Sequence, residues 1–131
     1  MLAEEIGRAL YGELDYRQEA ANAATFAASS ANLPFVTVPA VVEGLTTQRV
    51  LVTQWIAGMS PTQLLASKGT SDGMSCPVGS GPVLSLVRMG IQSTFSQLLV
   101  TGVIHGDPHS GNVLLQTDGK LCYLDHGLLL R

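Results

Sequence analysis

The chain has 131 residues, 46% hydrophobic and only 13% charged, with positive mean hydropathy, which excludes disorder for most of it and supports one small domain or part of a larger one. Seven Lys and Arg against ten Asp and Glu give a net charge of -3, and no basic run is available to neutralise a duplex, so nucleic acid is not an expected partner. Cys76 and Cys122 stand at neither metal-ligand nor redox spacing, which leaves no disulfide framework and makes a reducing compartment the default. Glu4 and Glu5 near the start fit neither a secretory signal nor an acid-poor transit peptide.

In chain order, residues 2 to 29 are expected to be helical, most firmly from Glu13 to Ala28, because strong helix formers dominate and Glu13 to Arg17 is a favourable (i, i+4) pair. Asn32 and Pro34 should end it. Phe35 to Val42, broken by Pro39, and Arg49 to Ala57 read as two strands of a hairpin turning near Glu43 to Thr47. Gly58 and Pro61 open a short helix through Leu65. Ser67 to Pro82 is rich in Gly, Ser and Pro and is expected to be a flexible surface insertion. From Val83 the apolar residues Leu84, Val87, Ile91, Phe95, Leu98 and Leu99 recur at helical spacing up to Gly102, a suitable C-cap. Arg88, Gln92, Ser93, Ser96 and Gln97 interrupt that run, so no transmembrane segment is expected. Val103 to His105, Val113 to Gln116 and Lys120 to Leu124 read as strands, the last two joined at Asp118-Gly119.

Polar residues in the last third crowd into His105, Asp107, His109, Asn112, Asp125 and His126, at the ends of apolar strands. Asp107 to Asn112 has the D-x-x-x-x-N spacing, and the following hairpin can fold Asp125 back beside Asn112. Two such oxygen donors suit Mg²⁺, which keeps waters and takes one or two protein oxygens plus substrate phosphates. Asp107 would then orient or deprotonate an attacking hydroxyl. Two other readings stand beside this one: ordinary turns at Asp107-Pro108 and Asp118-Gly119, and an alternating set of His105, Asp107 and His109 for a transition metal. On the first helix, Asp15 and Glu19 fall at (i, i+4), where like charges repel by roughly 0.2–0.5 kcal/mol unless a cation intervenes. Glu13, with Arg17 four residues on, is also compatible with a solvated face.

HGDPHSGN (105 to 112) and DHG (125 to 127) match the order of a kinase catalytic loop and its metal-binding triplet. Together with ELDYRQEAAN (13 to 22) and VPAVVEGLTTQRVLVTQWIAG (38 to 58), they resemble the UbiB, or aarF-domain, family of atypical kinases. The resemblance implies an α+β, protein-kinase-like fold, of which the chain would span the end of the N-lobe and the catalytic core of the C-lobe. It implies ATP and Mg²⁺ as cofactors, Asp107 as the catalytic aspartate, and Asn112 and Asp125 as metal ligands. Glu13 and Asp15 correspond to the family's E-x-D motif, and Glu19 to the glutamate that pairs with the nucleotide-binding lysine. Gln54, Trp55 and Ile56 correspond to the hinge where adenine docks. The implied activity is ATP hydrolysis or phosphoryl transfer supporting isoprenoid quinone biosynthesis or lipid metabolism, in a plastid or mitochondrion, with an isoprenoid lipid or quinone-biosynthesis proteins as partners.

The sequence departs from the family in places. His126 replaces the Phe of Asp-Phe-Gly, and the K-x-G-Q helix, Ala-rich loop and nucleotide lysine are not found; Lys68 and Lys120 are the only lysines. The isolated chain is therefore expected to be a partial kinase-like domain, incomplete and inactive. A small-molecule phosphotransferase of the aminoglycoside or choline kinase type and a non-catalytic pseudokinase scaffold are the alternatives.

Overall fold

The computed structural model describes residues 15–67 and 81–131. Its first helix, α1, runs over Tyr16–Ser29, starting later than the Glu13 expected from propensity. Asp15 ends it on the N-terminal side: extended at φ -110°, it accepts the Arg17 backbone N–H at 3.1 Å, as an N-cap does. The part of the expected helix before Asp15, with Glu13, lies outside the described residues.

The two long strands of the expected hairpin are not formed. Within residues 35–57 only Val36–Thr37 (β1) is strand, and a single bridge joins Val41 to Thr53. Hairpin pairing does exist, since Val42 N–H donates to Val52 O and Gln54 N–H to Ala40 O, both at 2.8 Å. Two features stop it from extending. Pro39 has no N–H to offer, and the Thr46 hydroxyl accepts the Val52 N–H that a ladder partner would otherwise take.

Strand β2 is Gly58–Met59, and helix α2 covers Pro61–Ser67. Ser60 and Gln63 form a reciprocal capping box at its start, Gln63 N–H to Ser60 Oγ and Ser60 N–H to Gln63 Oε1. Ser67 and Pro82, expected as the bounds of an insertion, are thus the end of one helix and the start of the next; 68–80 lie outside the described residues. Helix α3, Pro82–Ser96, continues as a π-helical turn over Gln97–Thr101 and ends at Gly102, whose φ of +68° suits a residue without a Cβ. The 20 residues Pro82–Thr101 are long and apolar enough, by length and composition alone, to cross a membrane. One face of this helix, with Leu86 and Met89, nevertheless belongs to the protein core.

The remaining strands are β3 (Ile104–His105), β4 (Val113–Gln116), β5 (Leu121–Tyr123) and β6 (Leu129–Leu130). β4 and β5 form the expected hairpin, with Gly119 at φ +83° in its turn. The main sheet has the order β1-β5-β4-β2, with β1 parallel to β5 and the other pairs antiparallel; β3 pairs separately with β6. Phe26, Leu64, Leu86, Met89, Leu121 and Tyr123 make the core between helices and sheet. The architecture is α+β, and the central hairpin delivers residues 112 and 124 to one end of the sheet, where Leu124 N–H bonds Asn112 O at 2.9 Å.

Candidate functional site

The loop after β3 is built on itself. His109 N–H donates to Asp107 O and Asn112 N–H to His109 O, both at 2.9 Å. Asn112, almost buried, also uses its Nδ2 to donate to Asp107 O at 3.1 Å. That assignment leaves Asn112 Oδ1 without a protein donor among the described residues. The Asp107 carboxylate stays exposed, with His109 Nε2 3.7 Å from its Oδ2.

His105 ties this loop to Asp125. Its Nδ1 accepts the Asp107 N–H at 3.3 Å, which places the ring proton on Nε2, and Nε2–H donates to the carbonyl of Asp125. Burial lowers the His105 pKa, favouring this neutral form. The His105 backbone is held from behind by the π turn of α3: the extra residue there accompanies an inward Gln97, whose Oε1 accepts the His105 backbone N–H at 2.9 Å and whose Nε2 donates to Ser93 Oγ. Tyr123 OH also reaches Ser93, at 3.1 Å.

The Asp125 carboxylate is exposed and accepts Gly127 N–H through Oδ1 at 2.9 Å. His126 next to it is 2% exposed and packs against Phe26 and His105 at ring separations of 5.4 and 5.5 Å. It fills the space of an apolar residue: its Nε2 has no hydrogen-bond partner, and burial pushes its pKa down to about 4.

The structure therefore brings together Asp107, Asn112 and Asp125, and adds Glu19. The Glu19 carboxylate is half-buried on α1 and accepts the His126 N–H at 3.4 Å; burial raises its pKa, and the nearby Asp125 charge adds to the rise. Asp15 is not part of this group. It stands at the end of α1 rather than on a shared helical face with Glu19, and its two oxygens grip Arg17, at 2.9 Å to Nε and 2.7 Å to Nη2. That guanidinium holds the Asp15 carboxyl below the usual range. The expected Asp15–Glu19 repulsion is thus relieved within one helical turn, with Arg17 as the partner of Asp15; Glu13 lies outside the described residues.

Gln54, Trp55 and Ile56 line a cavity of 470 Å³ with Pro39, Gly58, Leu114 and Leu124. Leu124 adjoins Asp125, so the cavity opens beside the polar cluster. Trp55 is 91% exposed at its edge, and the backbone groups of Trp55 and Ile56 bond to none of the described residues, while Ala57 leads directly into the β2–β4 pairing. A larger cavity, 580 Å³, lies against the alanine face of α1 and includes none of the catalytic-loop residues.

The sequence suggested His105 only as one of an alternating metal-ligand set with Asp107 and His109, not as a bridge, and it suggested no role for Gln97 or Asn22. A Gln in an otherwise apolar helical run and an Asn in an alanine-rich one are all the sequence shows, and neither names the backbone group it bonds.

An aspartate loop braced by histidine against a second aspartate, beside an apolar slot, is the arrangement of a protein-kinase-like fold. Residues 1–131 match the family model of the ABC1 atypical kinase-like domain, and the chain belongs to that family. It is 39% identical over 128 residues to activity of bc1 complex kinase 3, chloroplastic, of Arabidopsis thaliana, covering 98% of this chain and 17% of that protein. It is 33% identical over 128 residues to an uncharacterised aarF domain-containing protein kinase, chloroplastic, of the same plant, covering 98% and 16%. Among solved structures, Rv3197 of Mycobacterium tuberculosis in complex with erythromycin superposes with a TM-score of 0.72 at 30% identity, covering 98% of this chain and 30% of that one. The fold is therefore kinase-like, as the motifs implied, and the chain spans less than a fifth of the length of both curated relatives.

Proposed function

We propose that this chain carries the nucleotide and metal end of an ATP-dependent atypical kinase or ATPase, with adenine in the slot beside Gln54, Trp55 and Ile56. The single observation that carries the reading is the His105 bridge, which joins the Asp107 amide to the Asp125 carbonyl and so holds a catalytic and a metal carboxylate in one unit. The unbonded backbone of Trp55 and Ile56 supports the slot, since its N–H and C=O groups remain free to pair with the edge of a base.

The donor chemistry fits Mg²⁺. Among the described residues no group of three or more His, Cys, Asp or Glu could cage a metal, whereas Asn112 Oδ1 and the exposed Asp125 carboxylate offer the one or two hard oxygens that Mg²⁺ takes when phosphates complete its shell. Bound there, Mg²⁺ would neutralise phosphate charge. Asp107, exposed and fixed by three backbone contacts, orients the attacking hydroxyl or water and receives its proton. Asn112 binds through its carbonyl oxygen while its amide nitrogen locks the loop. Glu19 in the full protein is the partner of a nucleotide-binding lysine. Glu13 belongs to the E-x-D motif with Asp15, and the Arg17 grip on Asp15 braces the start of α1.

The family resemblance supports isoprenoid quinone biosynthesis as the process served, with a lipid or quinone-biosynthesis proteins as partners. The chloroplastic relatives support a plastid rather than a mitochondrion.

Trp55 is the only tryptophan and lies at the slot, so its fluorescence tests the reading. Titration of ATP with Mg²⁺ should shift or quench its emission, and Asp125→Asn should abolish the Mg²⁺-dependent part while leaving the fold intact. An unchanged spectrum throughout would refute nucleotide binding at this slot and favour the scaffold reading.

A further inference from the structure

Asn22 lies on the inward face of α1 and is 8% exposed. An asparagine is a poor helix former, and a buried amide is costly unless its groups are bonded. Here both are. Oδ1 accepts from Gln18 Nε2 at 3.2 Å, and Nδ2 donates to His126 O at 2.9 Å, across 104 residues of sequence. One helical turn earlier, Glu19 accepts the N–H of the same residue. One face of α1 thus takes both backbone groups of residue 126, and among the described residues nothing else bonds either of them.

The peptide units on both sides of residue 126 are fixed as a result. Upstream, His105 holds the Asp125 carbonyl; downstream, Gly127 N–H returns to the Asp125 carboxylate. With the strand side anchored by His105 and the far side by α1, the rotation of residues 125–127, and with it the direction of the Asp125 side chain, depends on where the helix sits.

We propose that Asn22 is a positioning residue for the Asp125–Gly127 loop, an inference that rests on the reading of Asp125 as the metal carboxylate. Asn22 makes no contact with substrate or metal; it acts through the His126 carbonyl. Groups that orient a metal ligand from behind commonly affect metal affinity by about 10- to 100-fold.

The test has two readouts on the full chain. The first is amide hydrogen exchange followed by NMR without nucleotide or metal. In Asn22→Ala, and in Asn22→Asp, which keeps the size but removes the donor, the His126 and Gly127 amides should exchange about tenfold faster. The amides of β4 and β5 should keep their protection. Asn22→Gln, which retains an amide donor, should recover part of the loss. The second readout is Mn²⁺ affinity in the presence of ATP, from paramagnetic broadening, expected to weaken at least about tenfold in Asn22→Asp. Unchanged exchange at residues 126 and 127, or an equal rise at every amide, would overturn the proposal. If the unsubstituted chain binds no Mn²⁺ with ATP, the nucleotide reading fails, while the exchange comparison still decides whether Asn22 holds the loop.

Discussion

Replacing His126 with Phe should flatten the acid side of the stability profile. The wild-type imidazole is 2% exposed, with an unpartnered Nε2 and a pKa pushed from 6.5 to about 4, chiefly by burial. An unfolded chain takes up this proton as pH falls through about 6.5, whereas the folded chain refuses it until about 4. Across that window the unfolded state binds more protons, so stability falls as pH falls. At about 1.36 kcal/mol per unit of pKa difference, the loss from this residue is about 2 kcal/mol at pH 5 and about 3 kcal/mol near pH 4. His105, also lowered by burial, acts in the same direction, and Glu19, raised by burial, acts in the opposite one. Both remain in the variant, so the difference between the two proteins is dominated by His126. Urea unfolding at pH 7.5 and pH 5 gives the comparison. Any repacking of Phe against Phe26 and His105 adds an offset that is the same at both pH values. Wild type should lose about 2 kcal/mol more than His126→Phe between the two conditions; parallel profiles would show that the buried imidazole is not held neutral by its surroundings.

Other substitutions test separate links. Phe26→Ala removes the fully buried ring that touches His105, Tyr123 and His126; chemical denaturation should show a loss of about 3–5 kcal/mol. Gln97→Leu leaves the His105 N–H without its acceptor, which should cost about 1–3 kcal/mol by the same measurement. Gly119→Ala forces a Cβ into a turn at φ +83° and should cost about 1–2 kcal/mol without changing Trp55 fluorescence. In the full-length protein Asp107→Asn should preserve nucleotide affinity, read by calorimetry, while reducing turnover; a matching loss of affinity would remove Asp107 from its assigned role.

Local signals in the sequence settled the elements whose causes are themselves local. The Asp118-Gly119 dipeptide between two apolar runs specifies the β4–β5 hairpin, because a turn needs a residue that tolerates positive φ. Gly102 ends α3 for the same reason, and Pro61 with Ser60 and Gln63 starts α2. The ordered spacing of Asp107, Asn112 and Asp125 also made the family legible, since a catalytic loop and its hairpin form one contiguous segment.

Tertiary structure decided what depends on partners distant in the chain. Arg49 to Ala57 alternates as a strand should, yet it lacks a full ladder because Pro39 and the Thr46 hydroxyl take away the pairing it needs. Leu129–Leu130 became a strand only because Ile104 and His105 lie beside it. Helical spacing put Asp15 and Glu19 on one face, but a capping geometry ended the helix between them and gave Asp15 to Arg17. Asn22 and Gln97 carry no local mark of their roles: each is a polar side chain whose value comes from one backbone group delivered by another element, and a hydrogen bond across 104 residues has no periodicity for a sequence to display.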